Sequence, residues 1–135
     1  ASAGMIGEQK VTDVIADAKW FENTLVGTVQ KRGGAVIAAR GNSSAMSAAN
    51  AICGHMRDWV LGTAPGVSVS MGVVSAGQYG VTEGLVYSYP VTCSGGEWKI
   101  VEDRQIDGVT QQALKATETE LLEEKGEALE LVSNL

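Results

Sequence analysis

The stretch VSVSMGVVS, residues 67–75, decides the fold, because the spacing of apolar residues changes there from three or four to two. Up to Gly72 every second residue of this stretch is apolar, and the residues between are serine or glycine. Such alternation is typical of a strand with one buried face. Apolar residues before this stretch and near the C-terminus follow helical spacing instead. The order of helices, strands and a final helix predicts an α+β domain with an antiparallel sheet.

Two further strands are predicted downstream, in GLVYSYPVT (residues 84–92) and EWKIVE (residues 97–102). The tetrapeptide CSGG between them is typical of a tight hairpin. Pro90 lacks a backbone N–H, so it predicts a sheet edge or a bulge at that position. The inward faces are expected to consist of Leu85, Tyr87, Tyr89 and Val91 in the first strand and Trp98 and Ile100 in the second.

Two helical segments precede the strands. Residues 11–40 are predicted to be mostly helical, with a possible loosening at Gly33-Gly34. A second helix is expected from Ser44, with Asn42 or Ser43 as its N-cap, and LGTAPG (residues 61–66) is expected to end it. Its apolar face is expected to contain Met46, Ala49, Cys53, Met56 and Val60.

The last helix is expected to begin after Asp107, whose side chain is suited to the N-cap position. One of its faces is apolar and the other acidic, and a run of glutamates on a helix is most often a solvated surface. Residues 1–135 are therefore expected to form a single α+β domain with long helices packed on an antiparallel sheet. The apolar face contains Val109, Leu114, Leu121, Leu122, Leu129 and Val132, and the acidic face contains Glu118, Glu120, Glu123, Glu124, Glu127 and Glu130.

Composition excludes several classes of function. The formal net charge is -6 and the ten basic residues are spread along the chain, which argues against a nucleic-acid partner. No apolar run is long enough to span a membrane, and no secretory signal is recognisable. The chain does not begin with Met, which suggests a processed chain or a piece of a longer one. Cys53 and Cys93 are interpreted as two buried, reduced thiols rather than a disulfide or a zinc site.

Motifs for nucleotide binding and for a serine nucleophile are missing. The sequence has no Gly-rich dinucleotide or phosphate loop and no G-x-S-x-G elbow. His55 is the only histidine, and Asp58, one helical turn later, would be able to orient its imidazole as a general base. A local pair on a helix surface is the more common use of such spacing, whereas Arg57 is expected to point elsewhere. The residues therefore form no complete catalytic set.

Two sets of polar residues remain as binding candidates. Ser43 and Ser44 precede a helix, where hydroxyls either cap the backbone or accompany its free N–H groups in meeting an anion. Lys31 and Arg32 are candidate anion ligands as well, although solvated charges on a helix explain them equally well.

Several long motifs in order resemble the C-terminal half of the malate dehydrogenase family, of the cytosolic and plant-cytosolic type. They are TVQKRGGAVIAARGNSSAMSAANAICGHMRDWVLGT, VSMGVVSAGQYGV and LVYSYPVTCSGGEWKIVE, followed by EEK in the last helix. The resemblance runs from about Val11 to the C-terminal helix. It implies the fold of the lactate/malate dehydrogenase C-terminal domain. It also implies that the NAD-binding Rossmann domain precedes this region and is absent from this chain.

The resemblance also implies a reaction and its partners. The intact enzyme would interconvert malate and oxaloacetate by hydride transfer with NAD as cofactor, as a cytoplasmic homodimer. This chain alone would be catalytically incomplete, since the catalytic His, the Asp that orients it and the substrate arginines are expected upstream. Malate or lactate specificity is set upstream too. A non-catalytic interaction domain that reuses the fold is the alternative interpretation.

One pocket residue carries over by resemblance. Ser43, the first serine of SSAMSAA, matches the family residue that lines the pocket near substrate and nicotinamide, and Ser44 and Met46 are weaker candidates beside it. The family commonly has Lys-Leu where this sequence has Gly41-Asn42. His55 matches a helix position of the family rather than its catalytic histidine, and no metal site is implied.

Overall fold

The computed structural model describes residues 4–133, without the side chains of Ala18 and Glu22. The chain divides into two compact units, Ala1–Ile52 and Cys53–Leu135, which are described one after the other. Helix α4, Met46–Leu61, contains the boundary between them.

The first unit is almost entirely helical. Its elements before α4 are the hairpin strands β1 (Met5–Ile6) and β2 (Gln9–Lys10), the short helices α1 (Val11–Val14) and α2 (Ala18–Trp20), a π-helical turn (Phe21–Leu25) and α3 (Val26–Arg40). Helical backbone continues without a break from Ala18 to Arg40, which confirms the predicted helical segment. Gly33 and Gly34 do not loosen it, because they lie inside α3 and their hydrogen-bonding pattern stays helical.

The helices of the first unit have half-buried side chains, among them Trp20, Phe21, Leu25 and Val36, but no fully buried one. None of the side chains placed between residues 4 and 52 is buried. The apolar face predicted for α4 is uncovered over its whole length as well: Met46 is 75% exposed and Val60 58%. The thiol of Cys53 lies on this exposed helix, so its predicted burial is wrong, whereas Cys93 is buried as expected. Both helices therefore present apolar surface that the described part of the chain does not cover.

The second unit contains the three-stranded sheet and every residue that is buried between residues 4 and 133. Strands β3 (Val69–Val74), β4 (Val86–Ser94) and β5 (Glu97–Ile100) form an antiparallel sheet in the order β3-β4-β5. Alternate residues face the core, which confirms the period of two, although Trp98 is 40% exposed rather than buried. A short 3-10 turn, Gln78–Gly80, lies between β3 and β4. The core consists of Met71, Val73, Val81, Leu85, Tyr87, Tyr89, Val91, Cys93 and Ile100.

Pro90 occupies the central strand, at a point where that strand has only one partner. It pairs with Ser70 of β3, whereas β5 ends at Ile100, opposite Val91. The Pro90 carbonyl accepts a hydrogen bond from the N–H of Val101, and the N and O of one strand residue point to the same side. The proline nitrogen therefore faces the side beyond the end of β5, and the predicted edge is confirmed there.

Helix α5, Gly108–Ser133, packs one short stretch of its length on the sheet. Asp107 caps it as predicted, since its Oδ1 accepts a hydrogen bond of 2.7 Å from the N–H of Thr110. Leu114 and Leu121 pack against the core, as expected for the apolar face. The rest of the predicted apolar face is exposed: Val109, Leu122, Leu129 and Val132.

Glu118 corrects the prediction of a uniformly solvated acidic face. Its side chain is buried between α5 and the loop after β3, where it accepts hydrogen bonds from the N–H and the hydroxyl of Thr82. Lys115 Nζ lies 2.8 Å from its second oxygen. These donors, first that of Lys115 and then those of Thr82, lower the pKa of Glu118 from 4.5 to about 2. Residue 118 lies four after Leu114 and three before Leu121, so it shares their face of the helix.

Replacing Glu118 by glutamine is expected to lower the Tm by roughly 5 °C or more, because the charged acceptor of Thr82 and Lys115 is lost. The folded pKa lies below the usual one, so this stabilisation is present above about pH 4.5 and is lost as the pH falls toward about 2. Thermal unfolding followed by circular dichroism from pH 7 to pH 2 measures both effects. Glu123→Gln, on the exposed face, is the matched control. Equal Tm values for the two variants at pH 7 would contradict the role of Glu118.

Candidate functional site

The candidate site is the five-residue loop that joins α3 to α4, residues 41–45. Gly41 ends α3 in the left-handed conformation, with φ 77°, and its N–H donates to the carbonyl of Ile37. Glycine adopts this left-handed conformation without strain, which accounts for its position at the end of α3. The guanidinium of Arg40 turns back onto the loop, where Nη1 donates to the carbonyl of Ser44 at 3.0 Å. The loop is thus fixed at both of its ends.

The loop presents two serine hydroxyls in different states. The side chain of Ser43 is exposed, and its Oγ is 3.5 Å from the N–H of Ala45, a long and weak contact. Ser44 is half-buried, and its Oγ is hydrogen-bonded to the Oγ of Ser47. Ser43 therefore retains nearly all of its capacity to donate to and accept from a ligand, and Ser44 has less.

The start of α4 lies later than predicted. The helix begins at Met46 rather than Ser44, and Ala45 before it has a φ of 45°. Neither Asn42 nor Ser43 is adjacent to the first helical residue, so the predicted cap at these residues is wrong. A left-handed φ is unusual for alanine and strains the backbone of the loop just after Ser43. Met46 itself projects outward, with 75% of its side chain exposed.

This geometry is suited to binding rather than to catalysis. Ser43 offers a neutral hydroxyl, which is able to hydrogen-bond a carboxylate or a carboxamide without adding charge. Neither loop serine has a histidine or carboxylate among its hydrogen-bond partners in the described residues. A serine nucleophile needs such a base. The loop therefore offers hydrogen-bonding groups without a base beside them among the described residues.

His55 does not form the pair with Asp58 that its spacing suggested. Its exposed ring contacts Trp59 edge to face, with the ring centroids 6.3 Å apart. The carboxylate of Asp58 is 3.3 Å from Nη2 of Arg57, so the arginine that was expected to point elsewhere is the partner. Trp59 in turn donates its indole N–H to the carbonyl of Gly96 at 2.6 Å. The contacts of His55 are those of a helix-surface residue, and nothing among them orients its imidazole.

The second unit holds polar groups that serve the core. Tyr89 donates its hydroxyl to Ser75, and Ser75 donates to the carbonyl of Val81 at 3.1 Å. Burial raises the pKa of the Cys93 thiol, which suppresses the reactive thiolate. Ser75 is buried because it follows Met71 and Val73 at a spacing of two and so continues the inward face of β3, a signal that its polar side chain masks in the sequence. These groups stabilise the fold rather than a site.

The described residues contain neither a metal-binding cluster nor a membrane-spanning helix. Between residues 4 and 133, no three His, Cys, Asp or Glu side chains lie close enough together to bind a metal ion. The same part of the chain has no helix that is both long and apolar enough to cross a membrane.

Comparison with known proteins gives consistent similarities in sequence and structure. Residues 1–132 match the family model described as the lactate/malate dehydrogenase alpha/beta C-terminal domain. The cytoplasmic malate dehydrogenase of Zea mays is 55% identical over 88% of this chain, and that of Beta vulgaris is 54% identical over the same share. The chain spans 36% of the length of each of these two relatives, little more than a third.

Solved structures show the same similarity. A malate dehydrogenase from Naegleria fowleri matches 93% of this chain with a TM-score of 0.83 and 42% identity, and the chain covers 38% of it. A lactate dehydrogenase from Trichomonas vaginalis, in complex with NADH and oxamate, matches 94% with a TM-score of 0.84 and 34% identity; the chain covers 39% of it.

Proposed function

The chain belongs to the lactate/malate dehydrogenase family, and within that family we propose that it is the C-terminal substrate domain of an NAD-dependent malate dehydrogenase. The observation that supports malate is the 55% identity to a cytoplasmic malate dehydrogenase over 88% of the chain. Among solved structures too, identity is higher to a malate dehydrogenase, at 42%, than to a lactate dehydrogenase, at 34%. The single domain of residues 1–135 would follow an NAD-binding domain in the complete protein.

The proposed reaction interconverts malate and oxaloacetate. NAD, when bound, supplies the acceptor for the hydride that leaves C2 of malate, while the hydroxyl proton passes to a histidine outside this chain. The family's catalytic His, its orienting Asp and its substrate arginines all belong to the preceding region. This chain alone is therefore expected to be inactive.

Ser43 is proposed to line the substrate and nicotinamide pocket. Its hydroxyl is exposed and nearly unengaged, which fits a group that hydrogen-bonds a substrate carboxylate or the nicotinamide carboxamide. Ser44 and Met46 would be neighbours with smaller contributions, since Ser44 already bonds Ser47. The described part of this chain offers no dinucleotide-binding glycine loop, so most of the NAD contacts are assigned to the preceding domain.

A cytoplasmic location and a homodimer are part of the same proposal. The relatives from Zea mays and Beta vulgaris are named cytoplasmic. Exposed apolar side chains on α3 and α4, among them Val29, Ile37 and Ile52, supply surface that association would bury. A dehydrogenase of this kind requires neither a nucleic acid nor a membrane as partner.

A chimera tests the proposed function. It joins the region of the Zea mays malate dehydrogenase that precedes the matched segment to residues 4–135 of this chain. We expect the chimera to oxidise NADH with oxaloacetate at a rate within about tenfold of the rate of the Zea mays enzyme. A tenfold difference in rate corresponds to about 1.4 kcal/mol of transition-state stabilisation. The chain alone, assayed in parallel, is expected to be inactive.

The substrate choice and the alternative interpretation are tested in the same assay. Pyruvate in place of oxaloacetate would reveal a lactate dehydrogenase, and faster turnover of pyruvate would contradict the malate assignment. A chimera that is folded, binds NADH and reduces neither substrate would favour a non-catalytic interaction domain. Sedimentation of the chimera measures the proposed dimer independently of turnover.

A further inference from the structure

A shallow groove of about 400 Å³ follows one face of the long helical segment in the first unit. Its walls come from the π-helical turn, through Asn23 and Thr24, and from α3, through Thr28, Lys31 and Arg32. Gly27 and Ala35 keep its floor low, because neither has a side chain that rises into the space. None of these residues belongs to the 41–45 loop.

The polar groups that line this groove have no partners in the described structure. Lys31 and Arg32 form no ion pair or hydrogen bond with any described residue, and the side chains of Asn23, Thr24 and Thr28 are equally unengaged there. Two cations and three neutral donors thus face one space with their hydrogen-bonding capacity unused. The protein has a net charge of -6, so an adjacent, unpaired pair of cations is a local exception to its overall field.

The position of the groove on the helix favours access from solvent. At 100° per residue, Thr28, Lys31 and Arg32 lie on the side of α3 opposite Ile37. Ile37 is 51% exposed, and an exposed apolar side chain is one that burial stabilises. Association of α3 with another surface through its apolar face would leave the groove open on the other side.

We propose that this groove binds a small oxyanion with more than one negative charge, of the phosphate or carboxylate type. The Lys31 ammonium and the Arg32 guanidinium would each donate to a different oxygen of the ligand. Charge-assisted bonds of this kind are about twice as strong as neutral ones. The two threonine hydroxyls and the Asn23 amide would satisfy the remaining oxygens. The volume of about 400 Å³ admits a ligand the size of pyrophosphate or citrate.

The proposal is tested by titrating the isotope-labelled chain with inorganic pyrophosphate and, separately, with citrate at constant ionic strength. The backbone amides of residues 23–35 are expected to shift in a saturable way with at least one of the two anions. Affinity should fall as salt is raised, because the cations are exposed. The two titrations also distinguish a phosphate-type ligand from a carboxylate-type ligand, since the anion that binds more tightly shows which of the two the groove prefers.

The variant Lys31→Gln/Arg32→Gln is expected to lower the affinity by about tenfold or more, because two charge-assisted contacts are lost. Lys10→Gln/Lys19→Gln removes the same charge from the same unit outside the groove and is expected to bind as the unchanged chain does. Circular dichroism checks that both variants keep their helix content. Absence of saturable shifts with either anion, or an equal loss of affinity in both variants, would overturn the proposal.

Discussion

Replacing Ser43 by alanine in the chimera is expected to lower kcat/KM for oxaloacetate by roughly 10- to 100-fold, because a hydrogen bond to a charged group is worth about 1.5–3 kcal/mol. The hydroxyl is exposed and has only a 3.5 Å contact with the N–H of Ala45, so its loss removes a ligand contact with little effect on the loop. Steady-state kinetics measures the effect with oxaloacetate and NADH varied in turn. The substrate whose KM rises identifies the group that Ser43 contacts.

Three variants serve as controls for Ser43. Ser43→Thr keeps a hydroxyl and is expected to recover most of the activity. Ser44→Ala is expected to have a smaller effect, since that hydroxyl bonds Ser47. His55→Ala is expected to change kcat/KM little, because His55 contacts only Trp59 among the described rings and has no orienting carboxylate. A larger loss in His55→Ala than in Ser43→Ala would contradict the assignment of the pocket wall.

Replacing Tyr89 by alanine is expected to lower the free energy of unfolding by about 3–5 kcal/mol, as for other buried aromatic side chains. Tyr89 is 2% exposed, and its ring centroid lies 5.6 Å from that of Tyr87 and 6.1 Å from that of Tyr79. Its hydroxyl bonds Ser75, which is itself buried, so the substitution creates a cavity and removes a donor from a buried polar group. Urea unfolding monitored by circular dichroism measures the change.

Tyr89→Phe separates the two contributions, since it keeps the ring and removes only the hydroxyl. It is expected to cost about 1–2 kcal/mol, in the range of one buried hydrogen bond. Met46→Ala, at a side chain that is 75% exposed, is the control outside the core and is expected to stay within about 0.5 kcal/mol of the unchanged chain. An equal loss in the free energy of unfolding for Tyr89→Ala and Met46→Ala would mean that stability does not depend on the sheet core.

The sheet was predictable from local pattern because its register and its burial follow the same period. Residues 67–75 alternate, and the structure buries Met71 and Val73 and exposes Gly72, as the pattern requires. Pro90 predicted a sheet edge at its position in the strand. That edge exists because β5 ends at Ile100, opposite Val91, and does not extend to Pro90. The cap at Asp107 was predictable too, since it depends on groups within three residues of each other.

One error arose where a long-range contact decides the outcome. Glu118 was assigned to a solvated face by its charge, although it lies on the face of Leu114 and Leu121 and finds its donors in Thr82, 36 residues away. Trp59 likewise bonds Gly96, 37 residues away. No window of helical or strand period contains such pairs, so only the folded chain reveals them.

The candidate site was predicted from the sequence only through family resemblance. Composition and spacing indicated that Ser43 and Ser44 lie near a helix start, but they did not distinguish a cap from a ligand contact. In the structure the helix begins at Met46, and the Ser43 hydroxyl has only a long contact with the N–H of Ala45. That difference depends on Gly41 and Ala45, whose positive φ angles redirect the chain between two helices.

The sequence by itself determined the α+β class, the strand faces and the family, because period, turn residues and long motifs are local properties of the chain. The tertiary structure alone decided which polar groups are buried and which are free to bind. Glu118 is satisfied by a distant loop, whereas Ser43, Lys31 and Arg32 remain open to a ligand. The physical reason is that desolvation and hydrogen-bond satisfaction depend on every neighbour in space, and most of those neighbours are far apart along the chain.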